Sequence, residues 1–401
     1  MIHTAILGFG VVGGGVAKLL SQNVDKIALS AASDVRLKYI LDIRDFPDSP
    51  FSDKMVQDFS VIEADPEVQV VVETIGGVGA AYDFTKRALR AGKSVVTSNK
   101  ELVATHGYEL LSIAREQNVN YLFEASVGGG IPIIRPLTQC LAANEISEIY
   151  GILNGTTNYM LTQMVTKDLS FEVALQEAQA LGYAEPDPTA DLQGDDAARK
   201  ICILASLAFG EQVYPEQVST EGISKVTLAD MRYAKSAGWR IKLVARALRL
   251  EDGKITAYVA PHLVGAESSL LANVENVFNG IVVRGNALGD VMFYGAGAGE
   301  LPTASAVVAD VIDCAKHLKA RKYVVWGPGG PKTTTDVKEL PFRWYVRRPA
   351  GCACAFGAIE LLQYGGADPR EMAFLTEPMS YAEIARKLEQ AGAHAAFRIL
   401  D

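Results

Sequence analysis

Positive charge is in short supply in this 401-residue sequence: 38 lysines and arginines face 47 aspartates and glutamates, for a net charge of −9. Nucleic-acid phosphates would be repelled by such a chain unless its cations were gathered on one face. No basic cluster stands out, so nucleic acid is not an expected partner. Cysteine is sparse as well. The five residues Cys140, Cys202, Cys314, Cys352 and Cys354 are odd in number and scattered, and the closest pair is C-x-C rather than C-x-x-C. Neither a disulfide framework nor a zinc site follows from that spacing, and we read them as reduced, mostly buried thiols. Long apolar runs are missing too: none approaches the roughly 18 to 20 uncharged residues of a membrane span. The segment MIHTAILGFG enters a strand-like pattern at once, without a basic n-region or cleavage site, so a cytoplasmic location is expected and a membrane is not. A composition of 49% hydrophobic and 21% charged residues suits two or three folded domains.

What is present begins with glycine. Residues 4–22, TAILGFGVVGGGVAKLLSQ, read as a short apolar strand running into Gly8-x-Gly10-x-x-Gly13, with Val11 and Val12 inside the turn, and then into a helix. There Gly8 permits the tight turn, Gly10 lets a pyrophosphate approach the backbone, and Gly13 lets helix and strand pack closely. The helix N-terminus offers its free N–H groups to the anion. The segments VRLKYILDI, VQVVVETIGG (68–77) and SVVTSNK (94–100) then alternate with helical stretches, the βαβ pattern of a parallel sheet. Ligands of such sheets sit beyond the carboxyl ends of the strands, which gathers Gly76, Gly77, Thr97, Ser98, Asn99 and Lys100. Lys100 reads equally well as a site residue or as a surface lysine that opens a helix.

Coenzyme choice turns on two neighbours. Asp42 ends the second strand, where a carboxylate bonds a ribose 2′-hydroxyl and repels a 2′-phosphate, which favours NAD. Against this, Asp42 lies 29 residues beyond Gly13 rather than about 20, and Arg44 is placed to serve a phosphate, so NADP stays open.

The stretch AEPDPTADLQGDDAARK places Glu185, Asp187, Asp191, Asp195 and Asp196 just before Lys200. A charge run is usually a solvated loop or face. If a helix starts near Asp195, however, Asp196 and Lys200 are i and i+4 on one face, the geometry of a shared site and equally of an ordinary helix ion pair.

Six segments, GFGVVGGGV, TSNKELVA, EASVGGGIPII, GILNGTTNYML, LGYAEPDPTADLQGDDAARK and GAGAGELPTASAVVADV, resemble the signature blocks of the homoserine dehydrogenase family, in the family's order and across most of the chain. The resemblance implies an NAD(P)-dependent oxidoreductase that interconverts L-homoserine and L-aspartate 4-semialdehyde, on the way to threonine and methionine. It implies that Glu185 and Asp196 bind homoserine, that Asp191 supports the site, and that Lys200 is the catalytic lysine, with Lys100 sharing its role or orienting substrate. Asn154, Gly155, Thr156 and Tyr183 match positions lining the substrate pocket, and Gly182 and Gly299 positions near the coenzyme; Gly297 belongs to the same turn as Gly299. EASVGGGI matches a segment that holds a monovalent cation, usually sodium, through main-chain oxygens, which maps onto Glu124, Val127, Gly129 and Ile131. A charged lysine suits the reducing direction, in which it stabilises or protonates the developing alkoxide.

The expected fold is α/β: a Rossmann-type parallel sheet over 1–135 plus 300–320, and a mixed α/β substrate and dimerisation domain over 136–299. A Gly- and Pro-rich linker over 321–340 and a small α+β ACT-like tail over 341–401 complete it. In the tail, FRWYVRRPA resembles the first ACT strand, and REMAFLTEPMSYAEIARKLEQAGAHAAFRILD the final strand, helix and strand. GCACAFGAIELLQYGGAD between them is too short for the usual helix and hairpin, so threonine feedback does not follow, and Cys352 and Cys354 read as structural. A homodimer or higher homo-oligomer is implied by the resemblance. A related oxidoreductase acting on another small amino acid is weakened by the close fit of the acidic block and its lysine to this family. An acylating semialdehyde dehydrogenase needs a nucleophilic cysteine, and no cysteine lies in the site segments. A catalytically silent sensor of dinucleotide or amino acid is opposed by the intact Glu185, Asp196 and Lys200.

Overall fold

A computed structural model describes residues 1–318, 320, 324–351, 356, 357 and 359–400. The chain divides into two compact units: residues 1–145, 202–215 and 295–330 form the first, and 146–201, 216–294 and 331–401 the second.

The first unit is built on six parallel strands, β1 (Ile2–Leu7), β2 (Val35–Leu41), β3 (Met55–Val56), β4 (Val68–Glu73), β5 (Ser94–Thr97) and β6 (Tyr121–Leu122), in the order β3-β2-β1-β4-β5-β6. Helices α1 (Val11–Gln22), α2 (Val24–Ala31), α3 (Phe59–Ala64), α4 (Gly79–Arg90) and α5 (Lys100–Glu116) connect them. The central strands are β-branched runs with almost no polar alternation, as sheets covered on both faces require, and Val70, Val71 and Val72 are all fully buried. Register then places the site. Leu7 pairs with Leu41 and with Glu73, and Glu73 pairs with Thr97, so the carboxyl ends of four strands form one row. Strand order reverses between β1 and β4, the switch point where such sheets bind ligands.

The second unit carries a ten-stranded mixed sheet, ordered β12-β11-β7-β9-β10-β16-β13-β15-β14, with β8 paired to β10. Its strands are β7 (Ile146–Ile152), β8 (Ser219–Thr220), β9 (Trp239–Arg249), β10 (Ile255–Gly265), β11 (Phe278–Gly285), β12 (Gly289–Ala296), β13 (Trp344–Pro349), β14 (Ile359–Leu362), β15 (Glu371–Thr376) and β16 (Ala395–Leu400). Helices α6 (Gly155–Lys167), α7 (Phe171–Ala180), α8 (Thr189–Leu192), α10 (Leu228–Ser236) and α12 (Tyr381–Ala391) belong to this unit, and α9 (Asp195–Phe209) begins in it. All eleven residues of β10 are buried. It pairs with β9 on one side and, in parallel, with β16 on the other, His262 opposite Arg398. The tail thus continues the sheet of the residues before it, and among its described residues it reads strand, strand, strand, helix, strand.

Helix α11 (Glu300–Lys316) packs against α1 in the first unit. A methyl group on Gly15 would meet Glu300 and Ala304 at 3.0 and 3.1 Å, so the close approach depends on that glycine. Within the expected linker, the described residues 324–340 make tertiary contacts. Trp326 is buried and donates from Nε1 to Gln212 Oε1 at 2.8 Å, while Ile255 donates its N–H to Thr333 O at 2.9 Å. Cys140 is exposed, Cys202 and Cys314 are buried, and Cys352 and Cys354 lie outside the described residues. No described helix is long and apolar enough to cross a membrane.

Candidate active site

The glycine turn between β1 and α1 has the geometry that a pyrophosphate needs. Gly8 has φ +92°, and a methyl group on Gly13 would sit 2.0 Å from Gly8 O. Gly10 is the N-cap of α1 and has open space where a side chain would be, so backbone amides rather than a side chain face an anion. Val11 is exposed and Val12 half-buried at the helix start. Thr74 closes the switch point by donating its hydroxyl to Leu7 O and Gly8 O at 3.0 and 2.9 Å.

Asp42, expected to read the ribose, is already engaged. Its carboxylate accepts from the Phe9 N–H at 2.7 Å and the Arg44 N–H at 2.9 Å, and from Arg44 Nε and Nη2 at 3.0 and 2.9 Å. The Arg44 side-chain bonds outweigh desolvation and hold Asp42 at about 2. It is ionised throughout the working range, with a mostly exposed guanidinium beside it.

A residue that the sequence reading passed over organises the next two strand ends. Glu73 is fully buried, and burial pushes its carboxyl above the ordinary range against the pull of its hydrogen bonds. Oε1 accepts the N–H groups of Ile75 and Gly76 at 2.7 and 3.4 Å, and Oε2 accepts the Thr97 hydroxyl at 2.6 Å. Thr97 Oγ1 in turn accepts the Asn99 N–H at 2.9 Å, and Asn99 donates to Gly77 O at 2.6 Å while capping α5 through Leu102 N. One carboxyl therefore ties the loop holding Gly76 to the loop holding Thr97, Ser98 and Lys100, the first residue of α5. Its only signal in the sequence is a lone acid closing the apolar run VQVVV.

The segment proposed for a cation is a tight turn. Gly129 has φ +57°, and Ile131 donates its N–H to Gly128 O at 2.9 Å. The Glu124 carboxylate accepts the N–H groups of Ile133, Ile134 and Arg135 at 2.6, 2.7 and 2.9 Å. With that carboxylate engaged, the oxygens that Glu124, Val127, Gly129 and Ile131 offer an ion are main-chain ones. Gly129 also abuts the second glycine loop: a methyl group there would meet Gly297 O at 2.4 Å. Gly299, with φ +126°, is the N-cap of α11. Among the described residues no cluster of His, Cys, Asp and Glu could hold a metal ion.

In the second unit the acidic stretch separates into two kinds of residue. Helix α9 starts at Asp195, as the spacing requires, and Asp196 and Lys200 lie one turn apart and buried. Lys200 Nζ donates to Asp196 Oδ2 at 2.8 Å and to Leu153 O at 2.7 Å. Asn154 caps α6, its Oδ1 accepting Thr157 N at 2.9 Å, and its Nδ2 donates to Asp191 Oδ1 at 2.7 Å and Asp196 Oδ2 at 2.9 Å. Thr156 donates its hydroxyl to Tyr183 O at 2.7 Å, and Gly155 opens α6. Asn154, Gly155, Thr156, Asp191, Asp196 and Lys200 are therefore assembled by α6, α8 and α9, with Tyr183 supplied by the turn after α7. Gly182 has φ +74° at the end of α7, just before Tyr183. The rest of the acids are peripheral. Asp187 accepts Thr189 N and Oγ1 in a local turn, Asp195 is exposed, and exposed Glu185 has no side-chain partner among the described residues.

Comparison with known proteins gives a consistent result. A homoserine dehydrogenase family model matches residues 132–312, and a model of the homoserine dehydrogenase NAD-binding domain matches residues 8–124. Homoserine dehydrogenase from Neisseria gonorrhoeae is 44% identical over 325 residues, covering 80% of this chain and 73% of the relative. That from Bacillus subtilis is 42% identical, covering 79% and 74%. Among solved structures, a homoserine dehydrogenase from Thiobacillus denitrificans superimposes with a TM-score of 0.90 at 34% identity, covering 100% of this chain and 98% of that one. A hyperthermophilic archaeal homoserine dehydrogenase in complex with NADPH has a TM-score of 0.68 at 28% identity, covering 80% and 99%. Matched over this length at these identities, the chain belongs to the homoserine dehydrogenase family, a family of nicotinamide-dinucleotide-dependent oxidoreductases.

Proposed function

We propose that this chain interconverts L-homoserine and L-aspartate 4-semialdehyde, with the nicotinamide coenzyme held by the first unit and the amino acid by the second. The observation that carries the reading is the cluster on α6, α8 and α9: a buried ammonium bonded to Asp196, with one amide holding Asp196 and Asp191 in place. Glu185 and Asp196 receive the substrate ammonium, Asp191 supports the site, and Asn154, Gly155, Thr156 and Tyr183 line its pocket. A coenzyme held by its pyrophosphate at the glycine turn would supply the hydride acceptor or donor. In the reducing direction the Lys200 ammonium gives its proton to the oxygen of the semialdehyde as the C4 carbon receives hydride, and the product is the alcohol. In the oxidising direction the hydroxyl proton leaves to the lysine as the same carbon gives up hydride. Lys100 orients substrate or shares the proton.

The finer assignments rest on the same residues. Asp42, ionised and facing the turn, disfavours a 2′-phosphate and supports NAD; Arg44, swung away from Asp42, would favour NADP. A monovalent cation, sodium by family resemblance, would be held by main-chain oxygens of Glu124, Val127, Gly129 and Ile131. We further propose a cytoplasmic homodimer or higher homo-oligomer, which sedimentation of the purified chain tests. The deciding assay is absorbance at the reduced-nicotinamide band with L-homoserine and either coenzyme, with and without sodium. Homoserine-dependent reduction is expected, faster with NAD. The absence of turnover in both directions with both coenzymes would overturn the reading in favour of a silent sensor.

A further inference from the structure

The strangest group in the second unit is a lysine that the chemistry above does not use. Lys242 lies in the middle of β9 and is 3% exposed. Burying an ammonium is unfavourable by several kcal/mol unless it is paired, yet Nζ has no carboxylate at hydrogen-bond distance among the described residues. It donates to Val274 O at 2.6 Å and to Asn158 Oδ1 at 3.1 Å. Desolvation lowers it to about 8, with Glu275 pulling the other way and Arg240 adding to the fall. The neutral amine keeps two hydrogens, so both bonds survive on either side of that value.

The two acceptors show what the lysine does. Asn158 is one turn along α6 from Asn154, and its Nδ2 lies 3.1, 2.9 and 3.1 Å from the carbonyls of Val274, Asn276 and Phe278. Asn276, in the left-handed region at φ +55°, donates its N–H to Thr162 Oγ1 at 3.0 Å and accepts from Gln163 Nε2 at 3.0 Å. The loop 274–278 is therefore strapped along one side of α6. At the start of that helix it comes close enough that a methyl group on Gly155 would meet Val277 O at 2.8 Å.

We propose that Lys242 is a positioning residue of the amino-acid site: through Asn158 it clamps the loop 274–278 onto the first turns of α6 and so fixes Asn154, whose amide holds Asp191 and Asp196 together. The clamp rests on the function proposed above. A methionine at 242 would fill the strand position without the desolvation penalty; what the lysine adds is the pair of hydrogen bonds that join strand, helix and loop.

The test is steady-state kinetics of Lys242→Met, with wild-type turnover of homoserine measured first. Absent wild-type turnover refutes the proposed function, whereas the clamp is judged from the variant of an active enzyme. At a temperature well below the unfolding of both proteins, Lys242→Met should raise the homoserine KM on the order of tenfold, the scale of one lost hydrogen bond. The coenzyme KM should stay unchanged, because its residues belong to the first unit. Asn158→Leu should give the same signature, and the double variant should be no worse than the worse single one, since both break one clamp. A folded Lys242→Met enzyme with a wild-type homoserine KM, or losses that add in full, would overturn the proposal. If Lys242→Met does not fold, Asn276→Gly, which keeps the left-handed backbone and removes only the Gln163 bond, should show a smaller rise in the same KM, and no rise there would count against the clamp equally.

Discussion

Replacing Asn154 by aspartate changes one NH2 group to an oxygen and keeps the helix cap, because the other oxygen still accepts from Thr157. The substitution turns donors 2.7 and 2.9 Å from Asp191 and Asp196 into a like charge at the same distances. At an effective dielectric near 20, each such contact would be unfavourable by roughly 6 kcal/mol. The new carboxyl will not pay both; it will take up a proton instead. Keeping an acid of ordinary pKa near 3.9 protonated at pH 7 costs about 4 kcal/mol, which caps the repulsion. The protonated acid donates one hydrogen bond where the amide donated two, leaving a residual loss of about 1–2 kcal/mol. The sign follows from a folded pKa raised above the unfolded one. The variant's deficit is smallest below pH 4 and grows with pH, by about 1.4 kcal/mol per unit, until the folded-state pKa is reached. Urea unfolding of wild type and Asn154→Asp at pH 5 and 7.5 measures this slope. Asn154→Ser, which caps the helix without a charge, should show a deficit of about 1–2 kcal/mol independent of pH. The homoserine KM should rise in both variants. A pH-independent deficit in the aspartate variant, or stability equal to wild type at pH 7.5, would refute the placement of Asn154 between Asp191 and Asp196.

Other substitutions probe the remaining groups. Lys200→Met should lower turnover by about a hundredfold or more, the scale of a lost proton-transfer group, with coenzyme affinity in a fluorescence titration unchanged. Glu73→Gln replaces the oxygen that accepts from Thr97 by a donor, so the loops at Gly76 and Thr97 lose their common acceptor; a several-fold rise in coenzyme KM at wild-type homoserine KM is the expected result. His262 is fully buried, and desolvation with nearby Arg398 holds it at about 3 rather than its ordinary 6.5. The unfolded chain therefore takes up a proton below pH 6.5 that the folded one refuses, so stability should drop as the pH is lowered below 6.5, by up to about 1.4 kcal/mol per unit. Chemical unfolding of His262→Gln between pH 7.5 and 5 should show a shallower decline than wild type.

Much of the first unit was legible because its signals are local. A glycine spacing, an apolar run and a helix-start asparagine are each set within a few residues, and the register of parallel strands then brings Gly8, Asp42, Gly76 and Thr97 to one row without further information. Glu73 was missed for the opposite reason. A single acid closing the run VQVVV looks like the end of a strand, and its task depends on Thr97, which reaches it only through strand pairing. Asp42 shows a related limit. Its position was read correctly, but the bidentate hold of Arg44, which decides how available that carboxylate is to a ribose, depends on a side-chain rotamer that no spacing encodes.

The acidic stretch shows how a motif and its local physics divide the same residues. All five acids share one composition signal, and a solvated loop was the ordinary reading for each. The fold grants that reading to Asp187 and Asp195 and withholds it from Asp191 and Asp196, because Asn154, from a different part of the sequence, turns its amide toward that pair alone. Asp196 and Lys200 were linked in advance by helix periodicity. Asp191, Asn154 and the Leu153 carbonyl could be added only by packing α8 and α9 against the start of α6. The lysine therefore faces an acceptor set of one carboxylate and one carbonyl, rather than the five carboxylates that precede it in sequence. It is this smaller set that any proton delivered to substrate must leave behind.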